Sequence, residues 1–285
     1  MKFCFIILHY KNFKDTLECI NSIKSKLLTK DYNIIIVDNG SLDETTKKLR
    51  ELEKIKKEID IIFLDKNLGF AKGNNIGCKY AIDKYFPEIL IVINNDTLII
   101  QEDFLEKIEK KYLETEFDIL GPYIEGKDKK PQNPYLNVIY GKKQIIKNLL
   151  KVKIYLLLEL LNFNILRKIL KKFKNKKEEY NYLIEKKGIA LMGAALVFSR
   201  KYYKKYKDIF YNKTFMYCEE DILFYRIKKD NLISIYDPTI RIFHKEESTT
   251  NKLSKSSKEQ RIFKLRNQYK SLKIYFNLFK EENNG

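Results

Sequence analysis

Short apolar runs alternate with longer amphipathic stretches over the first 115 residues. Four runs have the length of buried strands: residues 3–8, 32–37, 59–64 and 89–93. In the amphipathic stretches apolar residues recur every three or four positions, as in helices; these are residues 13–28, 41–55, 71–85 and 104–113. Strands that alternate with helices predict an α/β fold, in which a mostly parallel sheet is covered by helices on both faces.

The second half of the chain is less regular. Three prolines mark residues 121–140 as an irregular segment. Short strands are predicted at residues 196–198, 233–236 and 240–243, and a helix at 261–279. We expect one domain over residues 1–250 and a helical tail over 251–285.

A helical insertion is predicted at about residues 140–185 of this domain. Its apolar stripe comprises Ile145, Leu149, Val152, Leu156 and Leu160, and lysine pairs at 171–172 and 176–177 flank it. Two interpretations remain open. The insertion is either packed on the sheet domain, or it is a basic amphipathic helix that binds a membrane surface or a partner.

Composition limits the functional classes. The hydrophobic content of 44% supports a sizeable core and argues against disorder of the whole chain. The formal charge of +18 favours an anionic partner: nucleic acid, an anionic membrane surface or a phosphorylated substrate. The lysines are spread along the chain and form no known nucleic-acid motif, so no nucleic-acid partner is expected.

The four cysteines, Cys4, Cys19, Cys78 and Cys218, do not have the spacing of metal ligands. No secretory signal is expected at the start of the chain, and no uncharged run approaches the ~20 residues needed to span a bilayer. We therefore expect reduced, mostly buried thiols and a cytoplasmic location. Contact with the inner face of the cell membrane is left open.

Polar side chains follow the predicted strands where each one ends. Asn94, Asn95 and Asp96 come directly after the fourth strand, and Asp38 ends the second. Ligands bind at the carboxyl ends of strands in open α/β sheets. Asp96 suits a hard divalent cation shared with phosphates, or it is a turn residue or the N-cap before the next helix. Asp38 is interpreted as a ligand to a base or ribose, because Ser41 and Glu44 form a capping box for the next helix.

Three acidic residues, Glu219, Glu220 and Asp221, interrupt an apolar and aromatic run. Low-dielectric surroundings and mutual repulsion would raise their pKa values, which suits a general base. They equally suit a helix N-terminus, and both interpretations are compatible. His244 follows a predicted strand and is either structural or a ligand that completes a metal site.

In this order the motifs resemble a family-2 glycosyltransferase of the GT-A (Rossmann-like) fold, especially the bacterial rhamnosyltransferase-like branch. The resemblance runs from Lys2 to about Ser248. The segments that carry it are His9-Tyr10-Lys11, residues 37–41, residues 67–77, Asn94-Asn95-Asp96, residues 193–200, Tyr217-Cys218-Glu219-Glu220 with Arg226, and His244. Residues 67–77 are the most specific single match.

The resemblance implies roles for individual residues. It implies a metal site, for Mn²⁺ or Mg²⁺, at Asp96 and His244, an acceptor side at Gly193, Ala194 and Glu219, and a catalytic base at Glu220 or Asp221. Counting back from Arg226 favours Glu220 as the base. The implied donor-binding residues are His9, Tyr10, Asp38, Asn67, Gly69, Phe70, Lys72, Asn74 and Asn95.

The implied activity is inverting transfer of a sugar from a UDP- or dTDP-sugar to a saccharide or lipid-linked acceptor, in surface polysaccharide biosynthesis. One departure from the family pattern is Asn94, which stands where the metal motif has its first Asp. Three alternatives remain: a basic nucleic-acid-binding module, an inactive membrane-associated scaffold, and a nucleotidyltransferase. The last lacks support, because no Gly-rich loop bearing Arg and Lys follows the first strand.

Overall fold

A mixed sheet of nine strands organises the part of the chain that the computed structural model describes, residues 1–28, 31–56, 58–162, 180–246 and 257–283. The strands are β1 (Phe3–His9), β2 (Tyr32–Asp38), β3 (Ile59–Phe63), β4 (Ile89–Asn94), β5 (Thr97–Ile99), β6 (Ile119–Gly126), β7 (Lys186–Lys187), β8 (Ala195–Ser199) and β9 (Ser234–His244). The helices are α1 (Phe13–Lys26), α2 (Glu44–Ile55), α3 (Gly69–Tyr85), α4 (Phe104–Thr115), α5 (Lys142–Leu160), α6 (Arg200–Lys205), α7 (Glu219–Lys229) and α8 (Ser257–Asn283).

The first four long strands confirm the α/β prediction. They lie in the order β3-β2-β1-β4 and all pairs are parallel, so their carboxyl ends meet at one edge of the sheet. His9 lies opposite Asp38, and Leu8 lies opposite Asn94. Beyond β4 the order continues β8-β6-β9-β5, where β8 and β5 run antiparallel to their neighbours. The sheet therefore contains the predicted parallel strands and, beyond β4, antiparallel neighbours as well.

Helices cover both faces of this sheet because side chains alternate between the faces along each strand. Phe3, Phe5 and Ile7 contribute to a core with α1, α2 and α4. Cys4 and Ile6 contribute to a second core on the opposite face, with α3, α6 and α7. Both cores reach the edge where the strands end, and they hold the polar loops there in place.

Two predictions about the second half were wrong. Residues 121–126 belong to β6, which continues through Pro122 because the β6–β9 register shifts between Pro122 and Tyr123. A register shift tolerates a residue that lacks an N–H group. The predicted strands 233–236 and 240–243 form one strand, β9, which β6 pairs on both sides of that shift.

The predicted capping box was also wrong. The N-cap of α2 is Asp43, whose side chain accepts a hydrogen bond from the Thr45 backbone N–H. The Ser41 hydroxyl instead accepts one from the Lys11 backbone, and the Ser41 N–H donates to Asp38. Ser41 therefore joins the β1 and β2 loops and does not cap the helix.

Helices α5 and α8 form a layer outside the sheet, against α7. Their shared core contains Ile145 of α5, Ile222 and Tyr225 of α7, and Leu272 and Tyr275 of α8. Helix α8 corresponds to the helix predicted at 261–279 and extends it by several residues at each end. The lysine pairs at 171–172 and 176–177 lie outside the described residues. Among the described helices, none is long and apolar enough to cross a membrane.

All four cysteines are free and buried, as the sequence predicted. Burial raises the pKa of the Cys4 and Cys19 thiols to about 12 and raises those of Cys78 and Cys218 well above the ordinary value. The thiols are therefore parts of the apolar cores and have no thiolate character at neutral pH.

Candidate active site

A cavity of about 750 Å³ opens where the parallel strands end. Loops after β1, β2, β3 and β4 form one side of it, and the start of α7 and the first turns of α8 form the other. Of the predicted site residues, eleven line this cavity: Tyr10, Asn67, Gly69, Phe70, Asn95, Asp96, Gly193, Ala194, Glu219, Glu220 and His244. Residues that the sequence placed in different motifs thus share one chamber.

Asp96 and His244 meet at one corner of the cavity. Asp96 follows β4, and His244 ends β9, which pairs with β5 immediately after Asp96. His244 Nε2 lies 3.1 Å from Asp96 Oδ1, and both residues are more than 90% buried. The Lys245 backbone N–H donates to the Asp96 carbonyl oxygen at 3.0 Å, which fixes the two chain segments together.

The orientation of the His244 ring is set from its other side. The side-chain N–H of Gln132 donates a hydrogen bond to Glu246. The Oε1 atom of Gln132 therefore faces His244 Nδ1, at 2.7 Å. Nδ1 therefore carries a proton, and Nε2 is the ring atom directed at Asp96. A hydrogen bond of this kind from the distal ring nitrogen is typical of metal-ligating histidines.

Asp96 and His244 together fit a divalent cation that takes its other ligands from a substrate. No group of three or more His, Cys, Asp or Glu side chains converges as a closed metal cage in the described part of the chain. One carboxylate oxygen and one imidazole nitrogen, directed at each other within 3.1 Å, leave several coordination positions for phosphate oxygens and water.

The β2 and β3 loops form the floor of the cavity around Asn39. Asn39 Oδ1 accepts a hydrogen bond from the Leu68 backbone, and its Nδ2 donates to Asn67 Oδ1 and to the Gly69 carbonyl. Gly69 has a φ of +83°, and a Cβ there would lie 2.0 Å from the Phe215 carbonyl oxygen. Glycine is therefore required where α3 begins against the segment that precedes α7.

The acidic cluster occupies the first turn of α7, but its members point to different places. Glu220 lines the cavity, and its Oε1 accepts a hydrogen bond from the Gly193 N–H at 3.3 Å. A Cβ on Gly193 would lie 2.8 Å from that oxygen, so glycine permits the approach. Burial raises the pKa of Glu220, and the hydrogen bond from Gly193 opposes this shift.

Glu219 also lines the cavity, whereas Asp221 does not. Burial, with a contribution from the charge of Glu220, raises the pKa of Glu219 to about 8. Asp221 accepts a hydrogen bond from the Ile139 backbone at 2.6 Å, and burial raises its pKa to about 7. The geometry therefore favours Glu220 over Asp221 as the group that meets a substrate.

Four predicted donor-binding residues lie outside the cavity lining. His9 is fully buried, and its ring is hydrogen-bonded to Thr16 of α1 and Thr45 of α2. Asn74 is buried and donates to the Phe70 carbonyl, and Lys72 is exposed on α3. These positions brace or flank the cavity wall.

Asp38 is the fourth of these residues. One of its oxygens accepts from the Ser41 N–H at 3.1 Å, and the other accepts from the Thr46 hydroxyl at 2.6 Å. The residue is 1% exposed. Asp38 therefore holds the β2 loop, and the side chain that reaches the cavity from this loop is its neighbour Asn39.

Sequence reasoning missed the part of the site contributed by α8. Gln260, Arg261 and Lys264 line the cavity from its first two turns. Arg261 is held by buried Glu159 of α5, at 2.7 Å, and the Lys264 ammonium lies over the Tyr217 ring. The spacing of positions 260, 261 and 264 places them on one side of a helix, and this spacing was a signal for a shared polar face. No local pattern, however, shows that this helix returns to the sheet edge.

Comparison with known proteins identifies the family of this chain. A family model described as Glycosyl transferase family 2 matches residues 4–226. The dTDP-rhamnosyl transferase RfbF of Shigella flexneri is 29% identical over 127 residues, which cover 44% of this chain and 40% of that protein. The low-salt glycan biosynthesis hexosyltransferase Agl10 of Haloferax volcanii is 29% identical, over 45% of this chain and 38% of the Agl10 chain. The chain thus spans about two fifths of the length of each relative.

Solved structures show the same fold. The mannosyltransferase PcManGT from Pyrobaculum calidifontis, in complex with GDP-Man and Mn²⁺, superposes with a TM-score of 0.55 at 12% identity, over 88% of this chain and 59% of that chain. S. aureus TarS gives a TM-score of 0.54 at 16% identity, over 86% of this chain and 37% of the TarS chain. At these identities the likeness concerns the fold alone, which is GT-A. Since the family model covers well over half of the sequence, the chain belongs to glycosyl transferase family 2.

Proposed function

We propose that this chain transfers a sugar from a nucleoside-diphosphate sugar to a hydroxyl group of an acceptor, with inversion at the anomeric carbon. The observation that carries the proposal is the composition of one cavity. It presents a carboxylate–imidazole pair, Asp96 and His244, and a separate partly buried carboxylate, Glu220. The pair suits the diphosphate of a donor, and Glu220 suits the proton of an acceptor.

The reaction assigns one proton transfer to the chain. Glu220 removes the proton from the acceptor hydroxyl, and the oxygen forms a bond to the anomeric carbon of the donor. The bond from that carbon to the diphosphate breaks on the opposite face, and the nucleoside diphosphate leaves with the electron pair. The Gly193 N–H, bonded to Glu220 Oε1, keeps this carboxylate directed into the cavity.

A divalent cation, Mn²⁺ or Mg²⁺, would be held by Asp96 and His244. When bound it would supply positive charge beside the departing diphosphate. Gln132 and Glu246 fix the ring orientation that this role needs, and Lys245 fixes the chain at Asp96. On the donor side, the β2 and β3 loops around Asn39, together with Tyr10, form the surface against which the nucleoside would lie.

The donor and acceptor classes are inferred from the relatives together with the cavity. A dTDP-rhamnosyl transferase and a GDP-Man-bound mannosyltransferase make dTDP- and GDP-sugars the donors to test first, beside the UDP-sugars that the sequence resemblance implies. A cavity of about 750 Å³ holds a nucleotide sugar and one acceptor residue. The acceptor proposed is a saccharide or lipid-linked saccharide of a surface polysaccharide.

Two substitutions test the proposal. Glu220→Gln should lower kcat by about 10²–10⁴-fold, because it removes the base while keeping the shape of the side chain. Asp96→Ala should abolish transfer and also the Mn²⁺-dependent increase in melting temperature with nucleoside diphosphate. The measurements are transfer from a donor panel and thermal shift with and without Mn²⁺.

Glu53→Gln, an exposed carboxylate on α2, is the matched control and should leave both measurements unchanged. Circular dichroism verifies that each variant is folded. Full transfer activity in both Glu220→Gln and Asp96→Ala would overturn the proposal.

A further inference from the structure

Helix α5 has two apolar faces, and the described residues of the chain cover only one of them. Ile145 is fully buried against α8 and α7, and Leu149 and Val152 pack beside it. A second set of aliphatic side chains, here named the outer face of α5, points to solvent. Its members and their exposed fractions are Ile146 (39%), Leu150 (57%), Ile154 (50%), Leu157 (48%) and, directly after the helix, Leu161 (63%).

The outer face is one continuous stripe. Its members follow one another at intervals of four, four, three and four residues. At about 100° per residue these intervals place all five side chains within an arc of about 80°. Five large aliphatic groups in such an arc, each a third to two thirds exposed, form a contiguous apolar surface that a soluble monomer rarely presents.

The exposed charges that α5 itself carries beside this stripe have one sign. Five exposed lysines lie on the same helix: Lys142, Lys143, Lys147, Lys151 and Lys153. The helix has a single carboxylate, Glu159, which is 2% exposed and paired with Arg261. The solvent-facing surface of α5 therefore combines aliphatic side chains with cations and shows no exposed carboxylate.

This combination fits one occupant better than its rivals. A symmetric contact with a second copy would bring the two lysine rims together, and like charges oppose it. A nucleic acid would meet the lysines, but five aliphatic side chains offer no ring on which bases stack. An anionic lipid surface satisfies both features, because acyl chains accept the aliphatic groups and head groups attract the lysines.

We propose that the outer face of α5 binds the surface of an anionic membrane, with the helix lying parallel to the bilayer. The aliphatic side chains enter the boundary between head groups and acyl chains, and the rim lysines contact lipid phosphates. This inference rests on α5 alone, so it stands or falls separately from the transfer reaction.

Co-sedimentation with vesicles tests it. The full chain should bind vesicles of phosphatidylglycerol and phosphatidylcholine, and should bind pure phosphatidylcholine vesicles at least about ten-fold more weakly. The triple substitution Leu150→Ser, Ile154→Ser and Leu157→Ser should weaken binding to the anionic vesicles by about ten-fold or more. Raising the salt concentration to 0.5 M should weaken wild-type binding, because it screens the lysines.

The matched control is Leu113→Ser on α4, a leucine that is 71% exposed but far along the chain from this stripe. It should bind anionic vesicles like the wild type. Absence of wild-type vesicle binding, or equal binding by the triple variant, would overturn the proposal. So would sedimentation equilibrium showing a wild-type dimer that the triple variant dissociates, since the stripe would then serve a second copy. Thermal shift with nucleoside diphosphate should be unchanged in the triple variant, which separates this test from that of the proposed reaction.

Discussion

Glu219 and Glu220 are adjacent in sequence, yet the fold gives them different environments. Glu219 is 7% exposed, and its Oε1 has no hydrogen-bond partner among the described residues. Its pKa of about 8 keeps it mostly protonated at neutral pH. Glu220 receives the Gly193 N–H and is partly open to the cavity. One neighbour therefore holds its proton while the other can act as a base, a division of roles that paired carboxyl groups commonly adopt.

The protonated state of Glu219 predicts a pH dependence of stability. In the unfolded chain a glutamate titrates near 4.5, whereas in the native chain Glu219 titrates near 8. Between these values the native state binds a proton that the unfolded state has released. The free energy of unfolding should therefore fall as pH rises through this window, by about 1.4 kcal/mol per pH unit for one proton.

The Glu219→Gln variant should lose this contribution and exceed the wild type in stability at pH 8. Urea unfolding at pH 5, 6, 7 and 8 measures the difference. Asp221, with a pKa of about 7, adds a slope of the same sign that both proteins retain. The exposed Glu53→Gln change should preserve the wild-type slope. Identical slopes for wild type and Glu219→Gln would show that Glu219 is ionised in the native protein.

Among the elements, α8 supports the site although it lies far from the strand loops in sequence. The Ser271 hydroxyl donates to the Met216 carbonyl at 2.8 Å, and the Tyr275 hydroxyl donates to the Ile139 carbonyl at 3.1 Å. The first bond holds the segment that precedes α7, and the second holds the residue whose N–H donates to Asp221 in the acidic turn. The C-terminal helix therefore supports the site as well as contributing side chains to it.

Replacement of Leu272, which is 2% exposed in the core shared by α5, α7 and α8, tests this support. Leu272→Ala should lower the free energy of unfolding by about 2–5 kcal/mol, through lost burial and the cavity left behind. Lys273→Ala, at the exposed neighbouring position, should change it by less than about 0.5 kcal/mol. Urea denaturation compares the two, and equal effects would mean that α8 does not pack as described.

Elements with a local signal could be predicted from sequence, and those that depend on distant pairing could not. The strands β1 to β4 are predominantly apolar runs, so their positions were predicted correctly. Strand β6 contains Pro122 and exists because β9 pairs with it from both sides of a register shift. Likewise, the hydrogen bonds that Asp38 accepts from Ser41 and Thr46 could not be predicted, because these partners come together only when the loop is folded.

For the whole molecule, the sequence indicated the convergence of the strand loops but not the second wall of the cavity. Parallel strands end at one edge by geometry, which brings Asn67 and Asp96 together without further information. The wall from α8 depends on a contact between residues 159 and 261, about one hundred positions apart. Such a contact follows from the packing of α5 against α8, which a single sequence does not encode locally.

The four buried thiols have a practical consequence for experiments on the intact protein. Cys4, Cys19, Cys78 and Cys218 are each at most 7% exposed, so the native chain should show no fast-reacting thiol towards Ellman's reagent. Four should react after unfolding in guanidinium, and a rapid native reaction would contradict the burial. The natural sequence is thus ready for site-selective labelling. A single change such as Ile154→Cys would create one alkylation site, and a polarity-sensitive fluorophore there would report directly on the surroundings of α5.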